Sequence, residues 1–452
     1  MNNYYIPRLA TIEGYKQLFM ALEAKVVDIV KHIKKTANDD PRRVVHSFKV
    51  GLALTLVSLF YYFKPLYNNF GCSAMWAIMT VVVVFEYSVG ATLGKGLNRA
   101  LATFLAGALG VGAHYLANIT RNNFGEPILL GIFVFLLAAA STFIRFFPTV
   151  KARYDYGMLI FILTFSMVTI SGYRTHEILD LAQKRLSTIA IGASICVIIS
   201  IVIYPVWAGE DLHKLVAQNI EKLGDFIQGF SDTYFKTLET DGYVHLDLIL
   251  ANYKSVMNSK NSEETLANFS RWEPGHGAFM YSHPWKQYLI IGSLTRQCAS
   301  RIETINAYNK AQASLEIFGK LQEPFSRMSM ECWKALKELS LAIKTTTKPS
   351  SAKQHILNSR TASKSLKLLL NSEILGGINM EQIIPLASVA SIMIDVVDYV
   401  EKIYEAIDEL ASLANFENGS VSKCCHVVVD VERLSEVIVD DQSVGKGTLV
   451  IP

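Results

Sequence analysis

"VGATLGKGLNRALATFLAGALG" occupies residues 89–110, and its reading decides what kind of protein this is. The stretch is apolar enough for a buried or lipid-facing helix, yet Lys95 and Arg99 stand four residues apart and so share one helical face. Neither has an acid three or four positions away. Stacked cations without a local partner are costly in a dry interior and acceptable where they meet water or an anion. The surroundings of this stretch therefore have to explain it.

Working outward, six apolar runs of about the ~20 residues that a bilayer-spanning helix needs fall at 44–63, 72–90, 97–118, 127–147, 154–173 and 186–207. Between them lie "KPLYNNFG", a tight break around "LGKGLN", then "TRNNFGEP", "PTVKARYD" and "GYRTHEILDLAQKR". After Trp207 no long apolar run recurs. A soluble reading would need six successive buried helices at the front and none behind. The fold class predicted is all-α: a six-helix transmembrane domain followed by a cytosolic helical bundle.

Composition agrees. The 452 residues are 51% hydrophobic and only 18% charged, a low charged share for a soluble globular protein. A net charge of +3 and the lack of a strongly basic stripe argue against a nucleic-acid partner. The six cysteines lack metal-ligand spacing; Cys424-Cys425-His426 is the one cluster and reads as free thiols, so no metal or cofactor is expected. "MNNYYIPRLATIEGYKQLF" predicts no cleavable leader.

Lys and Arg gather before the first run (Lys31, Lys34, Lys35, Arg42, Arg43) and in the second and fourth breaks (Lys95, Arg99; Lys151, Arg153), against Lys64 and Arg121 in the first and third. The positive-inside rule then places the N-terminus, the even breaks and everything after 207 in the cytosol. The fifth break, with Arg174, Lys184 and Arg185, strains that rule. Beyond 207, Leu212, Val216, Ile220, Leu223, Ile227 and Phe230 form one stripe of an amphipathic helix; further candidates are 285–315, 323–346 and 380–414, with 256–284 irregular. The division expected is 1–43 N-terminal cytosolic segment, 44–207 membrane domain, 208–414 cytosolic helices and 415–452 tail.

Charges inside apolar runs usually face a bundle interior or water. Lys49 and Glu86 read as a structural pair, and Arg145 with Asp155 as a pair or as snorkelling groups. Lys95, Arg99 and Arg185 outnumber the nearby acids, and rings of such residues select anions in pores. No phosphate-binding loop, H-E-x-x-H or G-x-S-x-G motif occurs, so an enzyme is the least favoured class. His276 and His283, in an aromatic-rich turn, read as structural.

"NDDPRRVVHSFKVGLALTLVS", "AMWAIMTVVVVFEYSVGATLGKGLNRALAT", "FIRFFPTVKARYDYG", "LTFSMVTISGYR", "YPVWAGEDLHK" and "WEPGHGAFMYSHPWKQY" resemble, in order and from about residue 40 to 415, the plant aluminium-activated malate transporter family. The resemblance implies a homodimeric anion channel that passes malate and other small organic or inorganic anions, set in membrane lipid. It implies that Lys95, Arg99 and Arg185 line the pore and that Trp272, Glu273 and Pro274 take part in gating. Aluminium activation in the family depends on outer-face acids, of which this chain keeps a remnant at His176, Glu177 and Asp180, with Asn68 and Asn69 in the first break. Weak or absent aluminium activation is the expectation, because a trivalent cation wants several carboxylate oxygens. The short N-terminus and compact C-terminal region resemble the plasma-membrane branch, with the vacuolar membrane as the alternative. Two other classes stay open: a secondary transporter like bacterial aromatic-acid exporters, and a membrane-anchored signalling scaffold.

Overall fold

The computed structural model describes residues 9–63, 74–119, 125–172, 178–236, 253–277, 279, 283–306, 315–370 and 380–417. It is all-α: among the described residues the only β pairings are two isolated bridges, His276–Phe279 and Thr347–Glu417. The first part comprises α1 (Leu9–Asp39), α2 (Pro41–Tyr62), α3 (Ala74–Val84), α4 (Val89–Ile119), α5 (Gly125–Ile144), α6 (Pro148–Gly172) and α7 (Ile178–Val202). The second comprises α8 (Ala208–Lys236), α9 (Lys260–Ser270), α10 (Trp285–Asn306), α11 (Leu315–Lys344), α12 (Ala352–Leu370) and α13 (Met380–Leu413).

Asp40 separates α1 from α2. Its extended backbone (φ −149°) suits a residue before proline; its carboxylate accepts from Arg42 N at 3.2 Å, and Pro41 opens the helix where its missing N–H leaves nothing unpaired. The expected N-terminal segment is thus a long helix. Phe19, Leu22, Val26, Ile29 and Ile33 recur along α1 at helical spacing and are all exposed.

Five helices among the described residues are long and apolar enough to cross a membrane, within Pro41–Phe60, Val89–Ile119, Gly125–Ile144, Pro148–Ser171 and Ala182–Val202. The run expected at 72–90 appears as α3, 11 residues long, while residues 64–73 lie outside the described residues. The break expected at "LGKGLN" sits earlier, at Phe85–Ser88, and α4 runs unbroken through Gly94 and Gly96. Glycine inside a helix costs only about 1 kcal/mol, whereas Ser88 offers a cap: its Oγ accepts from Ala91 N at 3.3 Å. Thr92 Oγ1 accepts from Glu86 N at 3.1 Å, and Val89 N donates to Val206 O at 3.0 Å. These bonds satisfy polar groups of the interrupted backbone from within the protein.

These helices bury small clusters, one around Ala53, Val81, Phe85 and Cys196 and one around Ala106, Leu130 and Phe165. Leu101, Phe104 and Leu105 of α4, Ile128 and Phe135 of α5 and Ile198 of α7 point outward and stay exposed. A continuous apolar exterior of that extent is untenable in water and natural in lipid.

The second part has one large core, from Leu212 to Phe416. Two of its helices escape an apolar count. α9 lies inside the stretch read as irregular, and α12 buries Ala352, Ser359, Ala362 and Ser363 beside Ile356 and Leu366, a face too small and polar to register. α11 starts before Pro324, which sits within it, rather than just after it as expected.

Candidate functional site

The helices that carry the basic residues converge. α4 packs along α6 and α7, and α3 packs against α7. Arg99 of α4 is buried; its Nη1 donates to the hydroxyl of Tyr156 on α6 at 2.8 Å. Arg185 of α7 is equally buried. Its guanidinium lies 4.0 Å from the ring centroid of Trp76 on α3, close enough for a cation–π attraction, and Nη2 meets Met167 Sδ at 3.1 Å. The Nε atoms of both arginines are buried without a hydrogen-bond partner. Their like charges lie within electrostatic reach of each other, so two buried guanidiniums share a neighbourhood of aromatic and thioether groups.

Lys95 is arranged differently. It pairs with Glu86 across the Phe85–Ser88 break, and its Nζ lies 5.8 Å from the Tyr156 ring centroid. Two sequence expectations are corrected here. Lys95 has an acid partner, nine positions back and around a turn, where a search at helical spacing does not look. Glu86 is therefore taken, and Lys49 is not its partner: buried Lys49 donates to Tyr204 O at 2.8 Å. Arg145 and Asp155 do pair, Nε to Oδ1 at 2.7 Å and Nη2 to Oδ2 at 3.2 Å. His176 and Glu177 lie outside the described residues, as does the side chain of Asp180, whose backbone belongs to α7.

Trp272, Glu273 and Pro274 stand just after α9, at the foot of α4. Buried Glu273 accepts from Ala208 N at 2.6 Å and Gly209 N at 3.0 Å, capping α8, and also takes the N–H of Gly90 at the start of α4. One carboxylate thus closes the ends of two helices, one from each part, using the positive end of each helix dipole. Burial pushes its pKa up, and the three backbone donors with His276 pull part of that back. Gly90 and Gly94 allow the approach: a Cβ on Gly94 would lie 2.9 Å from Trp272 Cδ1, and one on Gly90 would overlap Phe269 O. Pro274 O accepts from His276 Nδ1 at 2.9 Å, and that imidazole stacks on Trp207, centroids 3.8 Å apart.

Below this junction a hydroxyl joins two histidines. Tyr288 OH lies 2.8 Å from His213 Nδ1 and 3.2 Å from His283 Nε2. His213 bonds the backbone at Ile343 through its other nitrogen. A consistent neutral chain follows: His283 donates to Tyr288, and Tyr288 donates to His213. Burial holds both imidazoles down to about 4. Beside them a cavity of about 430 Å³ is lined by Arg271, Glu273, His276, His283 and Trp285 among others.

Sequence reasoning missed Tyr156, Trp76, Met167 and Tyr204. None is charged, and each matters through a partner distant in sequence, so no spacing rule points to it.

Comparison with known proteins shows the family. The family described as "Aluminium activated malate transporter" matches residues 34–382. Similar proteins include aluminum-activated malate transporter 7 of Arabidopsis thaliana, 52% identical over 87% of this chain and 84% of its own. Aluminum-activated malate transporter 2 of the same plant is 55% identical over 87% and 79%. Aluminum-activated malate transporter 1 of Triticum aestivum is 42% identical over 93% and 94%.

Proposed function

The chain belongs to the aluminium-activated malate transporter family, and from that premise we propose that this multi-pass membrane protein is a passive channel for malate and related small anions. The observation that carries the reading is Arg99 and Arg185 together: both buried, like-charged within electrostatic reach, and each with an unpartnered Nε. A carboxylate passing between them completes both hydrogen-bonding shells and relieves the repulsion. Tyr156, Trp76 and Met167 hold the guanidiniums without neutralising them, which keeps binding weak enough for the anion to leave. Lys95, tied to Glu86, sits at the cytosolic approach and supplies a softer field.

The same proposal places residues 44–207 in lipid as six crossings, with the run 72–90, which holds α3, as the second. It places 208–414 in the cytosol, two chains as a homodimer, and the Trp272-Glu273-Pro274 turn as the gate linkage, because Glu273 ties α4 to α8. A cell-membrane location is favoured over the vacuolar membrane. Aluminium activation is weak, since Asn68, Asn69 and His176 stand where the family pattern calls for carboxylates.

The test is whole-cell recording with malate in the pipette. Arg99→Glu and Arg185→Glu should abolish malate current while a fluorescent fusion still reaches the cell surface. Undiminished malate conductance in both variants overturns the pore assignment. Flux that follows a proton gradient, with no unitary currents, favours the secondary-transporter reading. Severalfold growth of the wild-type current on adding aluminium overturns the aluminium statement alone.

A further inference from the structure

Between the foot of α4, the start of α6 and the Trp272 turn lies a cavity of about 220 Å³, lined by Lys95, Asn98, Lys151, Arg153, Tyr156 and Trp272 among others. Its acidic wall residue, Asp155, is held by Arg145 through two hydrogen bonds. Lys95 is held by Glu86. Tyr156 accepts from Arg99 and keeps its own hydroxyl proton free to donate. Arg153 has no acid partner among the described residues, and neither does Arg271, which follows α9 on the other side of the seam. The charge of Arg153 nonetheless reaches Arg271: burial first, then that like charge, depresses the pKa of Arg271. Arg271 itself lines the larger neighbouring cavity, so the cleft presents Lys151 and Arg153, with a further guanidinium close enough for its charge to be felt, and its free donors are all positive or neutral.

We propose that this cleft binds a small dicarboxylate from the cytosol, held by Lys151, Arg153 and Tyr156 within the field of Arg271, as a loading site distinct from the Arg99–Arg185 pair. The assignment rests on the anion-channel reading above. At ~30 Å³ per water the cavity holds roughly seven waters, room for a four-carbon diacid and far too little for a nucleotide. A dianion serves two cations at once, which chloride cannot do. Its arrival offsets the repulsion between Arg153 and Arg271 beside the Trp272 turn, which already packs on Gly94 of α4.

The test uses the purified full-length protein in detergent, its melting followed by intrinsic fluorescence, with malate compared with chloride at equal ionic strength. Malate should raise the melting temperature of the wild type and chloride should not. Arg153→Gln and Arg271→Gln should each melt higher than wild type without ligand, because repulsion is removed. Each should also need roughly tenfold or more malate for the half-maximal shift. Lys402→Gln, at an exposed cation of α13 outside the cleft, should keep the malate shift. A malate shift that survives in the Arg153→Gln/Arg271→Gln double variant overturns the cleft, as does a shift lost only in Arg185→Gln. In either case the channel reading stands, because anion current in vesicles judges it separately. Lower ligand-free melting of both single variants also overturns the proposal, since it makes these arginines ordinary structural cations.

Discussion

The two parts of the molecule bury charge in opposite ways. In the helices after residue 207, Glu263 is 1% exposed and takes hydrogen bonds from Asn219 (3.1 Å), Ser259 (2.8 Å) and Arg296. Lys337 likewise meets Glu221 at 3.0 Å and Asp225 at 3.1 Å. In the membrane helices Arg99 and Arg185 are as deeply placed, 5% and 6% exposed, and have no acid among the described residues. Burial with a full complement of partners is what a structural role requires; burial with an open donor is what a transient partner requires. On the proposed pore role, the difference separates an architectural charge from a transporting one by its partners alone.

The contrast breaks most sharply under neutral substitution. Glu263→Leu strands Arg296 and should cost about 3–5 kcal/mol, read as a large fall in melting temperature or a loss of monodisperse protein on size exclusion. Arg185→Met removes a charge whose neighbours are a ring and a thioether. It should leave melting near wild type while the malate current falls at least as far as conductance can be resolved. Equal destabilisation by both substitutions would erase the distinction.

Next in size is the linkage between the parts. Glu273→Gln turns one acceptor oxygen into a donor, so one helix end is left facing an N–H. The loss should be about 1–3 kcal/mol, and the voltage or concentration dependence of opening should shift with unitary conductance unchanged. A change in unitary conductance without a shift in opening would remove Glu273 from the gate.

The last contrast concerns pH. His213 and His283 are held near 4 when folded and titrate near 6.5 when unfolded. Between those values the unfolded chain binds more protons, so stability rises with pH; it is fully present above about 6.5 and is lost as pH falls toward 4. Melting temperature measured from pH 7 to 4.5 should show that slope, and His213→Gln should flatten it whatever its absolute stability. A slope that persists unchanged in His213→Gln would assign it to other groups.

Much of this was legible beforehand, and the reasons are specific. Hydrophobic length marks a membrane helix wherever it occurs, so α2, α4, α5, α6 and α7 fell close to their expected runs. The apolar stripe of α8, now buried in the core, was equally visible, because its period of 3.6 is uninterrupted. α12 was not, since a face of alanine and serine packs tightly without being apolar. The three basic residues were found by their lack of local acids, and that same rule misjudged Lys95: Glu86 comes to it around a turn, and turns are set by a capping serine rather than by hydropathy. Tyr156 and Trp76 were invisible for a related reason. An uncharged ring gains meaning only from the cation that tertiary packing sets against it.

Tyr204, where the chain leaves the last membrane helix, is a bulky residue in the left-handed region (φ 43°), and its carbonyl is held by an ammonium that precedes it by 155 positions. The consequence is temporal. When α2 leaves the ribosome, Lys49 has no acceptor, and a lysine inside a spanning helix weakens insertion by up to ~3 kcal/mol. The first helix should therefore wait, loosely seated beside the insertion machinery, until the final span arrives and the bond that bends the exit turn can form. Assembly of the bundle would then be closed by its two ends meeting rather than completed in chain order.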